Sequence, residues 1–122
     1  MNQELTIGAA QKLTSPNPFA LLTVRKPDGG DNVMAVSWWT YTSNHPASLA
    51  VCLSKKGYSG QCIQVEGRFA VNIVAEALHE AAFRCGTCSG RDRDKAAEFG
   101  VPIAQDASGA PYIPGSRVTF LC

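Results

Sequence analysis

The segment from Asn32 to Leu53, NVMAVSWWTYTSNHPASLAVCL, constrains the fold more than any other part of the chain. It joins two strand-like runs, Val33–Val36 and Leu49–Leu53, through a corner rich in aromatic and hydroxyl side chains. Adjacent residues of an extended chain point to opposite faces, so we expect one of Trp38 and Trp39 to enter a core. The other would then face solvent, a partner or a flat ligand. The alternative is ordinary strand packing with a polar connection.

Length and composition predict one globular domain that comprises residues 1–122. The chain is 45% hydrophobic and 17% charged, with a net charge of +1. A chain of this size buries roughly 65% of its unfolded surface, and its balanced charge argues against disorder and against nucleic-acid partners. No apolar run approaches the ~20 residues that cross a bilayer, and the first residues lack a signal pattern. We therefore expect a cytoplasmic protein without a membrane partner.

Five cysteines without an export signal predict reduced thiols instead of a disulfide framework. Cys85 and Cys88 have the CxxC spacing of zinc sites and of redox dithiols. Zinc needs about four ligands, yet His45 and His79 are isolated and no second CxxC exists. A thioredoxin-like dithiol needs a βαβ setting, which the predicted strand order does not provide. We expect no metal site and no catalytic acid, base or nucleophile.

Turn residues and hydrophobic alternation predict a mainly β fold with short helices. Phe19–Arg25 and Asn32–Trp38 form a hairpin, because the intervening Asp-Gly and Gly-Gly pairs readily adopt positive φ angles. The polar Asn72 lies in an apolar strand and requires a hydrogen-bond partner. Further strands are predicted over Ser48–Leu53, Arg68–Val74 and Arg117–Cys122. Helices are predicted from Ser59 to Gly67, over Ala75–Arg84 and in a short segment that ends at Phe99-Gly100. Thr14–Pro18 is predicted to be rigid and non-helical, and Val101–Pro114 to be irregular.

The turn from Ser54 to Gln61 is the first candidate binding site. Ser59 is placed to cap the helix that begins there, and Lys55 and Lys56 add positive charge. Unpaired amides and the helix dipole at such an end favour an anion such as phosphate. The alternative is a simply capped surface helix. A second candidate is the polar loop that leads from Cys85 to the next helix.

Several motifs, taken in their order and spacing, resemble one known family. They are Asn32-x-Met34-x-Val36-Ser37-Trp38, Pro46, the turn Ser54–Ser59, Phe69–Ile73 and Cys85-Gly86-x-x-Ser89-Gly90-Arg91-Asp92-x-Asp94-Lys95. From about Phe19 to Cys122 the chain is similar to the flavin reductase-like family with the FMN-binding split barrel, most closely its flavoredoxin branch. The resemblance implies an antiparallel Greek-key split β-barrel, which this chain leaves incomplete if a C-terminal part is missing.

The resemblance also implies non-covalent binding of FMN in a homodimer, with the flavin near the subunit interface. The cofactor-binding residues that it implies are Asn32, Ser37, Trp38, Trp39, Thr40, Lys55, Ser59, Ser89 and Lys95. Asn32 and Trp38 would lie beside the flavin, and Ser59 and Lys95 would hold its phosphate. No catalytic residue is required, because the flavin carries the redox chemistry. The implied function is an oxidoreductase or electron-transfer flavoprotein whose donor is NAD(P)H or a redox protein.

The chain departs from the family pattern at its C-terminal end. Family members continue beyond the position of Cys122 and carry further flavin contacts there. The competing hypothesis is therefore a non-catalytic or degenerate interaction domain that has lost flavin binding. A last strand over Arg117–Cys122 leaves an exposed pairing edge. We expect a homodimer or larger assembly in which this strand, the Trp38-Trp39 corner, or both are buried between chains.

Overall fold

A computed structural model describes residues 3–14 and 18–122 of the chain. Its centre is a four-stranded antiparallel sheet, accompanied by two two-stranded sheets and short helices. In chain order the helices and strands are α1 (Ile7–Thr14), β1 (Ala20–Arg25), β2 (Asp31–Val36), β3 (Trp39–Asn44), β4 (Ala47–Val51), α2 (Tyr58–Glu66), β5 (Ala70–Ile73), α3 (His79–Cys85), α4 (Lys95–Phe99), β6 (Ala104–Gln105), β7 (Pro111–Tyr112) and β8 (Val118–Leu121), with a 3₁₀ turn at Glu76–Leu78 before α3. The four-stranded sheet has the order β2-β1-β5-β8.

The predicted hairpin is confirmed as β1 and β2. The two strands pair antiparallel from Ala20 opposite Val36 to Arg25 opposite Asp31. Gly29 has a φ of 92° in the connecting turn, a conformation that glycine adopts without a steric penalty. The turn predicted from Asp-Gly-Gly therefore fixes the register of the first two strands.

The corner between the two apolar runs was predicted as a connection, and this prediction is wrong. Trp39–Asn44 forms strand β3, which pairs antiparallel with β4 through a turn that contains a cis His45-Pro46 peptide. The side chains alternate: Trp39 and Tyr41 are buried or half-buried, whereas Thr40 and Thr42 are exposed. Aromatic and β-branched residues with this period of two favour a strand, and the hydroxyl content had concealed that pattern.

The three predicted helices correspond to α2, α3 and α4 and differ mainly at their starts, whereas α1 was not predicted. The helix predicted to end at Gly67 is α2, and Gly67 adopts the left-handed conformation with a φ of 75°. Its N-cap is Gly57 and not Ser59, because a turn that closes from the Gly57 amide to the Ser54 carbonyl starts the helix earlier. Thr14, predicted in a non-helical lead, is instead the last residue of α1; residues 15–17 lie outside the described residues. The predicted irregular stretch over residues 101–114 contains the two short strands β6 and β7.

The four-stranded sheet is buried on both faces by two hydrophobic clusters. Neighbouring residues of β1 belong to different clusters, because alternate side chains of a strand point to opposite faces. Leu22 packs with Trp39 and Val71 on one face. Leu21 packs with Ala82 of α3 and Ile113 on the other. The sheet thus places α2 and the β3–β4 hairpin on one side, and α3 and α4 on the other.

The predicted antiparallel, mainly β architecture is confirmed. Every strand pair is antiparallel. Across residues 3–14 and 18–122 the three sheets remain separate and do not close into a barrel. In the same ranges, none of the helices has the length and apolar character that a bilayer crossing requires.

Asn72 has the hydrogen-bond partners that its position in β5 requires. The side chain is 0% exposed. Its Nδ2 donates to the Leu21 carbonyl at 3.0 Å and to Thr23 Oγ1 at 3.1 Å. Its Oδ1 accepts from the Ile113 amide at 2.9 Å and from Thr119 Oγ1 at 3.2 Å. One carboxamide therefore links β1, β5, β8 and the segment that precedes β8.

We predict that Asn72→Ala lowers the free energy of unfolding by about 2–4 kcal/mol, because the buried Ile113 amide and Leu21 carbonyl lose a partner. Urea denaturation measures the difference. Asn44→Ala is the matched control, since Asn44 is exposed and its bond to Gln11 is also exposed; it should cost less than about 0.5 kcal/mol. Equal effects of the two substitutions would contradict the role of Asn72.

Candidate functional site

A cleft of about 360 Å³ lies between three parts of the chain. One wall is the turn from Leu53 into the first turn of α2, and the opposite wall is the loop of residues 86–94 between α3 and α4. Met34 and Ala35 of β2 complete the lining. The cleft brings together the two segments that the sequence singled out as candidate sites.

The N-terminus of α2 opens into this cleft without a side-chain cap. Tyr58, Ser59 and Gly60 all line the cleft. Their amides belong to the first turn of the helix and have no carbonyl acceptor within it. The N-cap residue is a glycine, and no described side chain bonds to these amides. Three donors and the positive end of the helix dipole are therefore available to an anion.

Ser59 contributes its hydroxyl in a different way from the predicted cap. Its Oγ accepts a hydrogen bond of 2.7 Å from Nδ2 of Asn32, which lies on β2. Because the oxygen is the acceptor in this bond, the hydroxyl proton remains a donor for a second group. Asn32 therefore orients a donor at the base of the cleft.

Lys95 supplies a buried positive charge on the opposite wall. Its side chain is 3% exposed, and Nζ donates to the carbonyls of Cys85 at 2.8 Å and Cys88 at 2.9 Å. An ammonium has three donors, so one remains. Among the described residues, no carboxylate lies within 4.0 Å of this ammonium. The charge is held by carbonyl dipoles and is not neutralised.

Burial lowers the pKa of Lys95 below its ordinary value of 10.5, because the charged form loses solvation. The nearby Cys85 and Cys88 act in the opposite direction, and Lys26 and Arg93 lower the pKa further. Lys26 is itself buried, and its Nζ donates to the Arg93 carbonyl at 3.2 Å. Two buried lysines thus fasten the loop of residues 86–94, and an anion in the cleft would favour the charged form of Lys95.

Arg91 connects the loop with the opposite wall at the rim of the cleft. Its guanidinium carbon lies 4.7 Å from the centre of the Tyr58 ring, a distance typical of a cation–π contact. One guanidinium nitrogen also donates to Gln61 Oε1 at 3.3 Å. Lys56, which is exposed, adds a second cation to the lining. The mouth of the cleft therefore has the same sign of charge as its base.

The structure brings together some of the sequence-predicted site residues and separates others. Ser59, Ser89 and Lys95 line the cleft. Asn32 lies beneath it and is 2% exposed. The predicted residues that do not line the cleft are Ser37, Trp38, Trp39, Thr40 and Lys55. The site is thus divided into the cleft and a separate set of residues around Trp38.

The two tryptophans have opposite environments, as the sequence predicted. Trp39 is 4% exposed; its ring packs against Tyr41 and Phe120, and its Nε1 donates to the Pro18 carbonyl. Trp38 is 77% exposed. Trp39 therefore belongs to the core, whereas Trp38 presents a free indole face.

The predicted cofactor-binding residues omit three residues at the cleft, although all three belong to the two segments that the sequence singled out. Gly90 is buried against Asn32 and Lys95, which only the folded loop reveals. Arg91 was known as part of the loop motif, but its contact with Tyr58 depends on how the loop crosses α2. Lys56 lines the cleft and its neighbour Lys55 does not. Because the two lysines are adjacent in a turn, the sequence does not indicate which of their side chains faces the cleft.

The CxxC pair lies at the cleft, next to Lys95. Cys85 is 1% exposed, and burial raises the pKa of its thiol, although the Lys95 ammonium opposes the shift. Cys88 is half-buried. Within the described ranges no cluster of three or more His, Cys, Asp or Glu side chains could hold a metal ion. A thiol with a raised pKa is a weak nucleophile, because the thiolate is the reactive form.

Comparison with known proteins gives one family for most of the chain. Residues 13–122 match the family model described as "Flavin reductase like domain". A curated relative, the protein YddH of Escherichia coli K12, is 27% identical over 97 residues, which are 79% of this chain and 51% of that protein.

Two solved structures show the same fold. An FMN-binding domain of a flavin reductases-like enzyme from Shewanella baltica OS155 has a TM-score of 0.86 and 27% identity, covering 97% of this chain and 62% of that one. The flavoredoxin of Desulfovibrio vulgaris (Miyazaki F) has a TM-score of 0.77 and 30% identity, covering 93% of this chain and 61% of that one. The chain thus spans about half of the curated relative and about three fifths of the solved structures.

We predict that alkylation by iodoacetamide modifies Cys88 roughly tenfold or more faster than Cys85, since the latter is buried and has a raised pKa. Peptide mass spectrometry after timed quenching measures both rates. The exposed Cys52 is the internal reference, and unfolding in urea should remove the difference. Equal rates in the folded protein would contradict this description of the pair.

Proposed function

The chain belongs to the flavin reductase-like domain family, and we propose that it binds FMN and acts as a flavin-dependent oxidoreductase or electron-transfer protein. The observation that carries the proposal is the cleft, in which an uncapped helix N-terminus faces a buried, unneutralised lysine. The solved structures with the same fold include a flavoredoxin and an FMN-binding domain. The function of the complete polypeptide, like its redox partners, is part of the proposal.

The cleft fits a phosphate monoester for three chemical reasons. The amides of Tyr58, Ser59 and Gly60 are donors without an intrahelical acceptor. The Ser59 hydroxyl keeps its proton for donation, since its oxygen accepts from Asn32. Lys95 has one remaining donor and a charge without a carboxylate partner. We assign the phosphate of FMN to this set of donors, with Lys56 and Arg91 at the rim.

When bound, FMN supplies hydride and electron-transfer chemistry. The residues of the chain have to hold it, orient it and limit the access of water. The Lys95 ammonium balances the phosphate charge at a site where the low local dielectric strengthens the attraction. We assign Trp38, with Ser37 and Thr40, to the wall beside the flavin ring, because Trp38 offers an exposed indole surface.

The electron donor is proposed to be NAD(P)H or a redox protein. The sequence contains no glycine-rich dinucleotide fingerprint, so a nicotinamide donor would bind transiently against the flavin. A stopped-flow measurement of flavin bleaching by NADH, NADPH and a reduced redox protein separates the flavin reductase function from the flavoredoxin function. Rapid bleaching by NADH or NADPH indicates a flavin reductase, and rapid bleaching only by the reduced redox protein indicates a flavoredoxin.

We also propose that a second copy of the chain covers the exposed edge of β8 and the Trp38 surface. β8 is the last strand of the sheet, and Leu121 is more than half exposed on it. A groove of about 1050 Å³ runs beside this strand towards α1 and β4. Unpaired edges and exposed indoles are characteristic of interfaces.

We predict that FMN binds more tightly than riboflavin, and that Lys95→Met weakens FMN by about 1.5–3 kcal/mol, the value of a hydrogen bond to a charged group. The affinity of Lys95→Met for riboflavin should equal that of the wild type, because riboflavin lacks the phosphate. Quenching of flavin fluorescence gives both dissociation constants, and Lys12→Met, an exposed lysine on α1, is the matched control. Equal affinities of the wild type for the two flavins would remove the phosphate site from the proposal.

The preference for FMN should also depend on pH. The protonated form of Lys95 attracts the phosphate, and burial lowers its pKa below 10.5. The part of the preference that Lys95 contributes is therefore present at neutral pH and declines as the pH rises through the pKa of Lys95. Bound phosphate raises this pKa, so the decline is complete only at a higher pH than in the free protein. The same pH dependence of the preference in the wild type and in Lys95→Met would exclude Lys95 as the responsible group.

We predict that the chain is a dimer or larger assembly at micromolar concentration, and that Trp38→Ser combined with Leu121→Lys shifts it towards the monomer. Each substitution removes apolar surface from the proposed interface. Light scattering gives the mass, and acrylamide quenching gives the accessibility of Trp38; Phe83→Ser, at another exposed apolar side chain, is the control. A wild-type monomer whose Trp38 is fully quenched would refute this assembly.

A further inference from the structure

The carboxamide of Asn32 is enclosed between both walls of the cleft. It projects from β2 and bonds through Nδ2 to Ser59 in the first turn of α2, at 2.7 Å. Its Oδ1 is buried and has no hydrogen-bond partner among the described residues. A buried carbonyl without a partner is unfavourable. The other contacts of this carboxamide must therefore offset the cost of the unpaired oxygen.

Gly90 covers the unpaired oxygen. A β-carbon built on Gly90 would lie 1.9 Å from Asn32 Oδ1 and 3.3 Å from Lys95 Cε. The first distance is far inside van der Waals contact, so a side chain at position 90 would displace either the loop or the carboxamide. The φ of Gly90 is not in the left-handed region, so the need for glycine arises from this close approach alone.

These contacts make Asn32 a common support for the two groups assigned to the phosphate. On one side it orients the Ser59 hydroxyl beside the α2 amides. On the other it supports Gly90, whose loop carries the Cys88 carbonyl that binds Lys95. Asn32 does not itself line the cleft. It therefore acts through its neighbours and not by direct contact with a ligand.

We propose that Asn32 is a positioning residue that sets the gap between the α2 N-terminus and Lys95, and thereby determines selectivity for a phosphate monoester. This rests on the proposed function, because the selectivity is measured with FMN and riboflavin. Asparagine fits both requirements: its amide reaches Ser59, and its neutral oxygen adds no charge beside Lys95. An aspartate would place a carboxylate under Gly90, which would raise the pKa of Lys95 and offset its charge.

The contact between Asn32 and Gly90 is tested by a double-mutant cycle with Gly90→Ala, Asn32→Ala and the double variant. We measure the midpoint of thermal unfolding without flavin, and the dissociation constants for FMN and riboflavin at neutral pH. Gly90→Ala alone should lower the midpoint and reduce the FMN-to-riboflavin affinity ratio at least about tenfold. In the Asn32→Ala background the same substitution should have less than about a twofold further effect, because the new methyl group occupies the vacated space. Gly8→Ala, on the open surface of α1, is the control.

Equal effects of Gly90→Ala in both backgrounds would overturn the contact. If the Gly90→Ala protein does not fold, we expect the double variant with Asn32→Ala to fold. Failure of both proteins to fold would overturn the contact between Asn32 and Gly90. An unchanged affinity ratio in Asn32→Ala would overturn the positioning role. Asn32→Asp should lower the ratio and move its loss to higher pH, which a purely structural role would not do. A wild type that binds both flavins equally removes the phosphate site from the proposed function, and one that binds neither flavin refutes that function; in both cases the thermal cycle still decides the contact.

Discussion

The carboxamide of Asn72 is the interaction on which the rest of the sheet depends. It donates a hydrogen bond to β1 and accepts one from β8. It also accepts a hydrogen bond from the amide of Ile113, in the segment between β7 and β8. These segments are distant in sequence, and hydrophobic packing alone does not specify their register. A buried polar group with every donor and acceptor paired does specify it, because any slip leaves several groups unpaired. The hydrophobic clusters on both faces then pack against a sheet of defined register.

The cleft follows from this framework. β2 is fixed at the edge of the sheet by its hairpin with β1, and it carries Asn32 to the point where α2 begins. The opposite wall has little regular structure, and two buried lysines hold it through backbone carbonyls. Carbonyl dipoles satisfy an ammonium without cancelling its net charge. The result is an electrostatic field directed into a partly enclosed space, which is the feature that a phosphate site needs.

The sequence predicted the elements that local chemistry determines. The β1–β2 hairpin, the stop at Gly67, the opposite faces of Trp38 and Trp39, and the need of Asn72 for partners all depend on near neighbours or on alternation. Strand β3 was missed, because its hydroxyl side chains resemble those of a loop and its pairing with β4 is seen only in three dimensions. The helix start was misplaced for a related reason: both Gly57 and Ser59 suit an N-cap, and the turn at Ser54 selects the former. The assignment of residues to FMN stays a prediction.

The attachment of Lys95 to the loop has a kinetic consequence. Its Nζ is bonded to the carbonyls at both ends of the Cys85–Cys88 turn, so a displacement of that turn either carries the ammonium with it or breaks both bonds. An opening of this wall that carries the ammonium with it removes the attractive charge at the same moment that it widens the exit. A charged ligand in the cleft would be retained while the wall is closed and released in a single step when it opens.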